Sequence, residues 1–297
     1  MDPLVLVGAC IIWPRMHEKT PTIARLREQL LQETPEVRLV ALGFCELDQL
    51  DDTIEKYAIA RDWDADATLS AMRSSIAWRV EQDVPSLMAG PALPNEKLEA
   101  IRRFNPQGFH GEDKDGRLVY IERTGYLDCD ALLKVVTPDD ILKAHVQKCE
   151  YKLHVLLPRQ VVARGAAASK IVLIYDLANV GFSTFKTDIF TAIQRITSIN
   201  QEHYPETLHK VYIVNAPFFF YGTYKLIEVF LSDRIRHKIV FVGRKDELLA
   251  DIPAASLPSF LGGNCNCFPG QPHGGCVSSA SFTQTRYFSA LDAHFED

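Results

Sequence analysis

The chain has 297 residues, 47% of them hydrophobic and 24% charged, with a formal net charge of −6. A chain of this length suffices for one large or two smaller domains with a core and an internal cavity, and its mild acidity gives no ground for a nucleic-acid partner. Its seven cysteines, an odd number without the spacing of a disulfide framework, point to a reducing compartment.

In chain order, the apolar stretch 4–13 is too short to cross a bilayer and lacks the flanks of a signal peptide. It reads either as a strand or buried segment, or as a membrane tether. Residues 1–45 are expected to be an N-terminal extension without an assigned role, although Thr20-Pro21 predicts a helix start, followed by Ile23, Leu26 and Leu30 at helical spacing. Residues 46–90 are expected to form a helical lobe. Leu47, Leu50 and Ile54 mark one apolar face, and Asp64 is the predicted N-cap of a helix striped by Leu69, Met72, Ile76 and Val80 and closed by Trp78 and Arg79. Pro85, Gly90, Pro91 and Pro94 predict a linker between 84 and 95.

The pattern then becomes α/β. Phe109 and His110 precede Asp113-Lys114-Asp115-Gly116, a hairpin turn into a strand at 118–122. Pro138 opens a helix with Ile141, Leu142, His145, Val146, Cys149 and Leu153 on one side and Lys143, Lys148 and Lys152 at other positions. Residues 170–176 form an apolar strand, and a helix with Ile189, Ile193, Ile196 and Ile199 follows. A second strand at 211–214, an aromatic helix over about 218–231 and a third strand at 238–242 complete the series. This alternation predicts parallel pairing with right-handed crossovers. The tail after 264, rich in Gly, Ser, Cys and Pro, is expected at the surface.

Catalytic motifs are missing. There is no G-x-G-x-x-G after a strand, no phosphate loop and no G-x-S-x-G elbow. Asp176, at a strand's carboxyl end, reads either as a catalytic acid or as the cap of the next loop. Cys265 and Cys267, with His273 and Cys276 nearby, read either as zinc ligands or as thiols of a glycine-rich tail. What does converge is apolar surface. One helix face cannot hide the four neighbouring aromatics Phe218 to Tyr221. They belong either to a helix buried all round or to a lid over a pocket for a long apolar ligand. Arg234, Arg236 and His237 follow that helix and read either as a solvated loop or as contacts for anionic headgroups.

Five segments in the same order resemble the CRAL-TRIO lipid-binding family, typified by the yeast phosphatidylinositol/phosphatidylcholine transfer protein. They are Ala60-Arg61-Asp62-Trp63-Asp64 through Trp78-Arg79, Asp113 to Tyr120 (DKDGRLVY), Asp176-Leu177, Tyr204-Pro205-Glu206 through Asn215-Ala216-Pro217, and Ile252-Pro253 to Gly262-Gly263. The resemblance covers roughly residues 46–267.

It implies an α/β fold: a mainly parallel mixed sheet with flanking helices and a lipid cavity, in residues 91–267, preceded by the small all-helical lobe and followed by a tail at 268–297. It implies no catalysis, no metal and no cofactor beyond a bound phospholipid as cargo. The gate would be the aromatic helix, with Phe218, Phe219, Phe220, Tyr221, Tyr224, Ile227 and Phe230 as its apolar residues and Asn215 and Pro217 as the hinge. Glu206 and Lys238 fall where the family's phosphatidylinositol binders contact the inositol headgroup, and Phe109 and Tyr120 where its aromatic choline contacts fall. Four positions depart from the pattern. Ile59 and Ile235 replace an arginine and a threonine, and Ile171 and Asn200 replace two serines.

The expected function is exchange of a phospholipid, foremost phosphatidylinositol, between membranes. Arg234 and Arg236 would meet the membrane surface. Alternatives are a carrier of a sterol, retinoid or tocopherol-like ligand, and a sensor or scaffold presenting lipid to a kinase. The expected partners are phospholipids and membrane surfaces, with a lipid kinase as a further candidate. The expected form is a cytoplasmic monomer, peripheral on membranes.

Overall fold

The structure, a computed structural model, describes residues 19–181, 187–265 and 277, apart from the side chains of residues 187–189 and 245. The expectations for 4–13, Ile189, Cys267, His273, Cys276 and, apart from residue 277, the tail at 268–297 lie outside the described residues. The chain divides into two compact units, 1–82 and 83–297.

The first unit holds α1 (Lys19–Glu33), α2 (Glu36–Ala41), α3 (Leu50–Ala60) and α4 (Ala65–Glu81). Leu26 and Leu30, one turn apart on α1, meet Leu39, Leu50, Ile54, Leu69 and Met72 in a single core, so helices on both sides of residue 46 share one cluster. Asp62 and Trp63 both take positive φ and turn the chain between α3 and α4. Asp64 then caps α4, its Oδ1 accepting from Ala67 N at 2.8 Å. The Arg79 guanidinium is buried and donates to Leu42 O at 3.1 Å. Two residues of the expected apolar stripes are exposed instead: Leu47 precedes the first residue of α3, and Val80 sits in the last turn of α4.

The second unit opens with α5 (Val84–Met88) and α6 (Asn95–Phe104), then β1 (Gln107–Glu112), β2 (Leu118–Glu122), α7 (Cys129–Leu132), α8 (Pro138–Tyr151) and α9 (Leu157–Arg164). The proline- and glycine-rich stretch expected as a linker is tied down. Gln147 of α8 donates to Leu87 O at 2.6 Å and to Gly90 O at 2.7 Å, and accepts from Ala92 N at 3.2 Å. Asp113 builds the hairpin turn by accepting from the backbone N of Asp115 and Arg117, with Gly116 at φ +80. Thr137 and Asp140 form a capping box at the start of α8. Between α8 and α9 the helix widens into a π turn over Lys152–Leu156. Pro158 follows; its ring would clash with the carbonyl of residue 154 in a regular helix.

β3 (Ile171–Asp176), α10 (Thr187–His203), β4 (Leu208–Val214), α11 (Phe220–Glu228), α12 (Asp233–Arg236), β5 (Ile239–Phe241) and α13 (Leu248–Asp251) complete the unit. The sheet runs β1-β2-β3-β4-β5, with only the β1–β2 pair antiparallel. Each parallel step moves to the next strand on the same side, so right-handed crossovers put the connecting helices on one face. The opposite face is covered by the segment after β5. Leu248, Ile252, Leu257 and Leu261 pack there against Val119, Ile121, Val172, Ile174, Tyr212 and Val214. Gly263 makes that return possible, since a Cβ there would overlap the Leu257 carbonyl.

The aromatic helix is shorter than the predicted 218–231. Pro217 precedes a turn in which Phe220 N donates to Pro217 O at 2.9 Å, so the helix begins only at Phe220. At the other end, Gln201 of α10 donates to Phe230 O at 2.8 Å and accepts from Ser232 N at 2.7 Å, which holds a turn open before α12.

Candidate functional site

The two faces of the sheet differ. Toward the C-terminal segment, Val119, Ile121, Val172, Ile174, Tyr212 and Val214 are each at most 3% exposed. Toward the crossover helices, Phe109, Leu118, Glu122, Leu173, Tyr175 and Leu208 alternate with them and remain partly accessible, while Tyr120, Ile171, Val211 and Ile213 on the same side are buried. Polar groups on that accessible face nevertheless feel strong burial. It raises the Glu122 carboxyl and the Tyr175 phenol above their usual ranges and pulls the His145 imidazole down to about 3. That face is thus crowded by protein but less tightly closed than the other.

The aromatic run divides between two environments. Phe220 is buried, and Phe220, Tyr221 and Tyr224 surround Phe241 of β5 at 6.4, 5.1 and 5.1 Å between ring centroids. Phe230, beyond the end of α11, meets Phe190 edge-on at 5.6 Å. Outward, Phe218 is 94% exposed, Leu226 61% and Val229 68%. Leu226 and Val229 are one turn apart at the end of α11 and Phe218 stands exposed ahead of its start, so the segment presents apolar side chains to solvent over a floor of aromatics. Ile227 is partly buried. Asn215, just before this segment, takes φ +55, and its amide donates to Asp176 Oδ1 at 2.7 Å.

Asp176 is therefore occupied. Its Oδ1 also accepts from Ala178 N at 3.1 Å, and its Oδ2 lies 3.1 Å from Arg123 Nε in a buried ion pair. Of the two readings of this residue, the loop cap fits these contacts.

Glu206 and Lys238 come together, with Lys238 Nζ 3.5 Å from the Glu206 carboxylate. Two further cations join them: Lys170 Nζ at 2.6 Å and Arg234 Nε at 3.8 Å. Tyr204 anchors the turn, its hydroxyl donating to buried Glu150 at 2.6 Å, while Glu206 takes φ +57 and turns inward. Burial alone would raise the Glu206 carboxyl, but the Lys170 hydrogen bond with Lys238 and Arg234 holds it below the usual carboxylate range. Burial lowers the Lys238 ammonium although Glu206 works the other way. Three cations thus converge on one carboxylate, an arrangement whose donors suit an anionic group. Of the two arginines expected at a membrane, Arg234 thus turns to Glu206 and Arg236 pairs with Asp233.

A second polar group lies on the accessible face. Phe109 and Tyr120 meet edge to face at 4.8 Å. Lys148 of α8 donates to Gln107 Oε1 and to Tyr120 Oη, both at 2.9 Å. His145 Nε2 lies 3.0 Å from Asn200 Oδ1, beside Cys149. Lys148 and Lys170 were not singled out from sequence. Lys170 carried no signal, because only the fold brings it to Glu206. For Lys148 a signal existed in the i, i+3, i+7 spacing of His145, Lys148 and Lys152, which puts all three on one stripe.

Among the described residues no group of three His, Cys, Asp or Glu could hold a metal, and no helix is long and apolar enough to cross a membrane. A family model for the CRAL/TRIO domain matches residues 103–263. "Phosphatidylinositol/phosphatidylcholine transfer protein SFH11" of Arabidopsis thaliana is 32% identical over 77% of this chain, which spans 60% of that protein's length. "Sec14 cytosolic factor" of Schizosaccharomyces pombe is 32% identical over 85% of this chain and is spanned to 86% of its length. The chain spans only 36% of another Arabidopsis thaliana relative, "Phosphatidylinositol/phosphatidylcholine transfer protein SFH4". In structure, the chain resembles the "Crystal structure of Sfh5" with a TM-score of 0.58 at 18% identity, over 77% of this chain and 83% of that one.

Proposed function

Since the chain belongs to the CRAL/TRIO domain family, we propose that it binds a phospholipid, foremost phosphatidylinositol, under α11 and exchanges it between membranes without catalysis. The observation that carries the reading is the contrast between the sealed and the accessible sheet face, with an aromatic-floored helix over the accessible one. Acyl chains would lie on that face. The head would meet the cluster of Glu206, Lys170, Lys238 and Arg234, where ammonium and guanidinium donors suit a phosphate and the carboxylate suits inositol hydroxyls.

Burying each methylene is worth about 0.8 kcal/mol, so two acyl chains represent on the order of 20 kcal/mol relative to water. A bilayer supplies the same burial. Exchange at a membrane is then nearly balanced, while release into water is forbidden. The exposed side chains of Phe218, Leu226 and Val229 are the surface with which the helix would enter an interface, and Asn215 with Pro217 is where it would swing. The protein acts in this reading as a cytoplasmic monomer at membrane surfaces. Presentation of the lipid to a kinase would use the same pocket without requiring net transfer. A sterol, retinoid or tocopherol-like cargo would leave the four-charge cluster without use.

The test is transfer of labelled phosphatidylinositol between donor and acceptor vesicles, with native mass spectrometry of the protein after incubation with mixed lipids. A one-to-one lipid complex and protein-dependent transfer are expected. Bound lipid without transfer would point to the sensor role, and apo protein alone would remove the carrier reading.

A further inference from the structure

Two lysines in the crossover between β2 and β3 are withdrawn from water without an anion. Lys152, at the start of the π turn, is 8% exposed. Its amine has one described contact, a hydrogen bond to Thr207 Oγ1 at 3.3 Å, and an ammonium has three hydrogens to place. Lys148, one turn earlier, is half-buried and donates to two neutral oxygens, Gln107 Oε1 and Tyr120 Oη. Among the described residues neither amine is ion-paired, whereas Lys97, Lys170, Lys210 and Lys238 of the same unit each reach a carboxylate. We infer that Lys148 and Lys152 form a second anion site that takes the small charged head of an acyl lipid, a carboxylate or a phosphomonoester.

An ammonium held out of water without a counter-charge is costly, and a like charge at i, i+4 adds to the cost. Lys148 shows both effects. Burial lowers its pKa and Lys152 pushes the same way, while Glu122 works against them. Glu122 does not settle the balance, because burial raises its own carboxyl and it pairs with neither lysine. Side chains at i and i+4 stand close enough for one anionic head to meet both amines. Such a head relieves the burial of each and their mutual repulsion at once.

The place is separate from the Glu206 cluster. The cations that act on Glu206 are Lys170, Lys238 and Arg234, and neither Lys148 nor Lys152 is among them. Apolar surface for an acyl chain adjoins the amines. Tyr120, whose hydroxyl Lys148 holds, packs with Leu157 and Ile171 against Leu173 and Leu208, the residue after Thr207. The inference rests on the carrier reading for that lipid-bearing face, but not on the seat proposed for inositol.

The test titrates the full chain with oleate, with dioleoyl phosphatidic acid and with uncharged methyl oleate, reading bound lipid by native mass spectrometry and Tm by calorimetry. Wild type should bind oleate or the phosphatidic acid about tenfold or more tightly than methyl oleate, the scale of one charge-assisted hydrogen bond. Whichever of the two binds identifies the head as carboxylate or phosphomonoester. Lys152→Met and Lys148→Met should each remove most of that preference and leave methyl oleate binding unchanged, whereas Lys143→Met, at an exposed position of α8, should change nothing. Without lipid, Lys152→Met should melt no lower than wild type, since methionine removes an unpaired buried charge. A wild type that binds the charged lipids no better than methyl oleate overturns the inference while phosphatidylinositol transfer stands. So does a preference that neither methionine variant moves, or a lipid-free Lys152→Met that melts lower than wild type. A wild type that takes up no lipid of any kind removes both readings. If Lys152→Met fails to fold, the ammonium is already satisfied in the free protein and the inference falls.

Discussion

Replacing Arg123 by methionine tests whether the end of β3 is held together by charge. The Arg123 guanidinium sits 3.1 Å from Asp176 Oδ2 and between the rings of Tyr126 and Phe260, each at 3.9 Å. Methionine keeps much of the contact with both rings but leaves a carboxylate that is 1% exposed without its counter-charge. Removing one partner of a buried pair costs about 3–5 kcal/mol. Asp176 keeps the Asn215 amide and Ala178 N, so the loss belongs near the lower end, about 3 kcal/mol. In a unit of this size that lowers Tm by roughly 6–12 °C. Thermal and urea unfolding followed by far-UV circular dichroism measure it. Trp13, Trp63 and Trp78 all precede residue 83, so tryptophan fluorescence reports the first unit as an internal control. Adding Asp176→Asn removes the stranded charge while keeping an oxygen for Ala178 N, and the double variant should regain about 1 kcal/mol or more. A single variant within about 1 kcal/mol of wild type, or a double variant weaker still, refutes the reasoning.

Lys170→Ala and Lys238→Ala should each lower phosphatidylinositol transfer by about tenfold, the worth of one charge-assisted hydrogen bond. Equal losses for an uncharged lipid would mark a folding defect instead. Leu226→Asp combined with Val229→Asp should abolish vesicle binding with little change in Tm, because both side chains are exposed; retained flotation with vesicles would exclude these side chains as the membrane contact. Asp140 supplies a pH dependence. Burial would raise its carboxyl, but hydrogen bonds from Lys97 and Thr137 bring it down to about 2 from 3.8. A depressed folded pKa stabilises above the unfolded value and loses that contribution as pH falls through the folded one. Asp140→Asn should therefore cost on the order of 2 kcal/mol at pH 7, and its gap to wild type should close between about pH 4 and pH 2. A gap that stays constant over that range would show the carboxylate is not the cause.

Much of the fold was legible because its signals are local. Thr137 and Pro138 start α8, Asp64 caps α4, Asp113 and Gly116 turn the hairpin, and the apolar run at 171–176 is a central strand, all within a few residues of chain. Where expectation and structure differ, a distant group decides. The aromatic helix ends early because Gln201 of α10 takes the backbone of Phe230 and Ser232. The stretch at 84–94 reads as a linker from its prolines and glycines, but Gln147 holds it.

The same division governs the site. By itself the sequence determined that a parallel α/β unit carries an aromatic segment after its fourth strand, and that Glu206 and Lys238 flank it, since residue type and spacing record such things directly. Only the tertiary structure decided that Lys170 and Arg234 close on Glu206 and that Lys148 reaches Gln107 and the Tyr120 hydroxyl. The reason is physical. A lysine's side chain reads the same in any sequence, and its role depends on which carboxylate or ring the fold brings within hydrogen-bonding reach and on how much water burial removes.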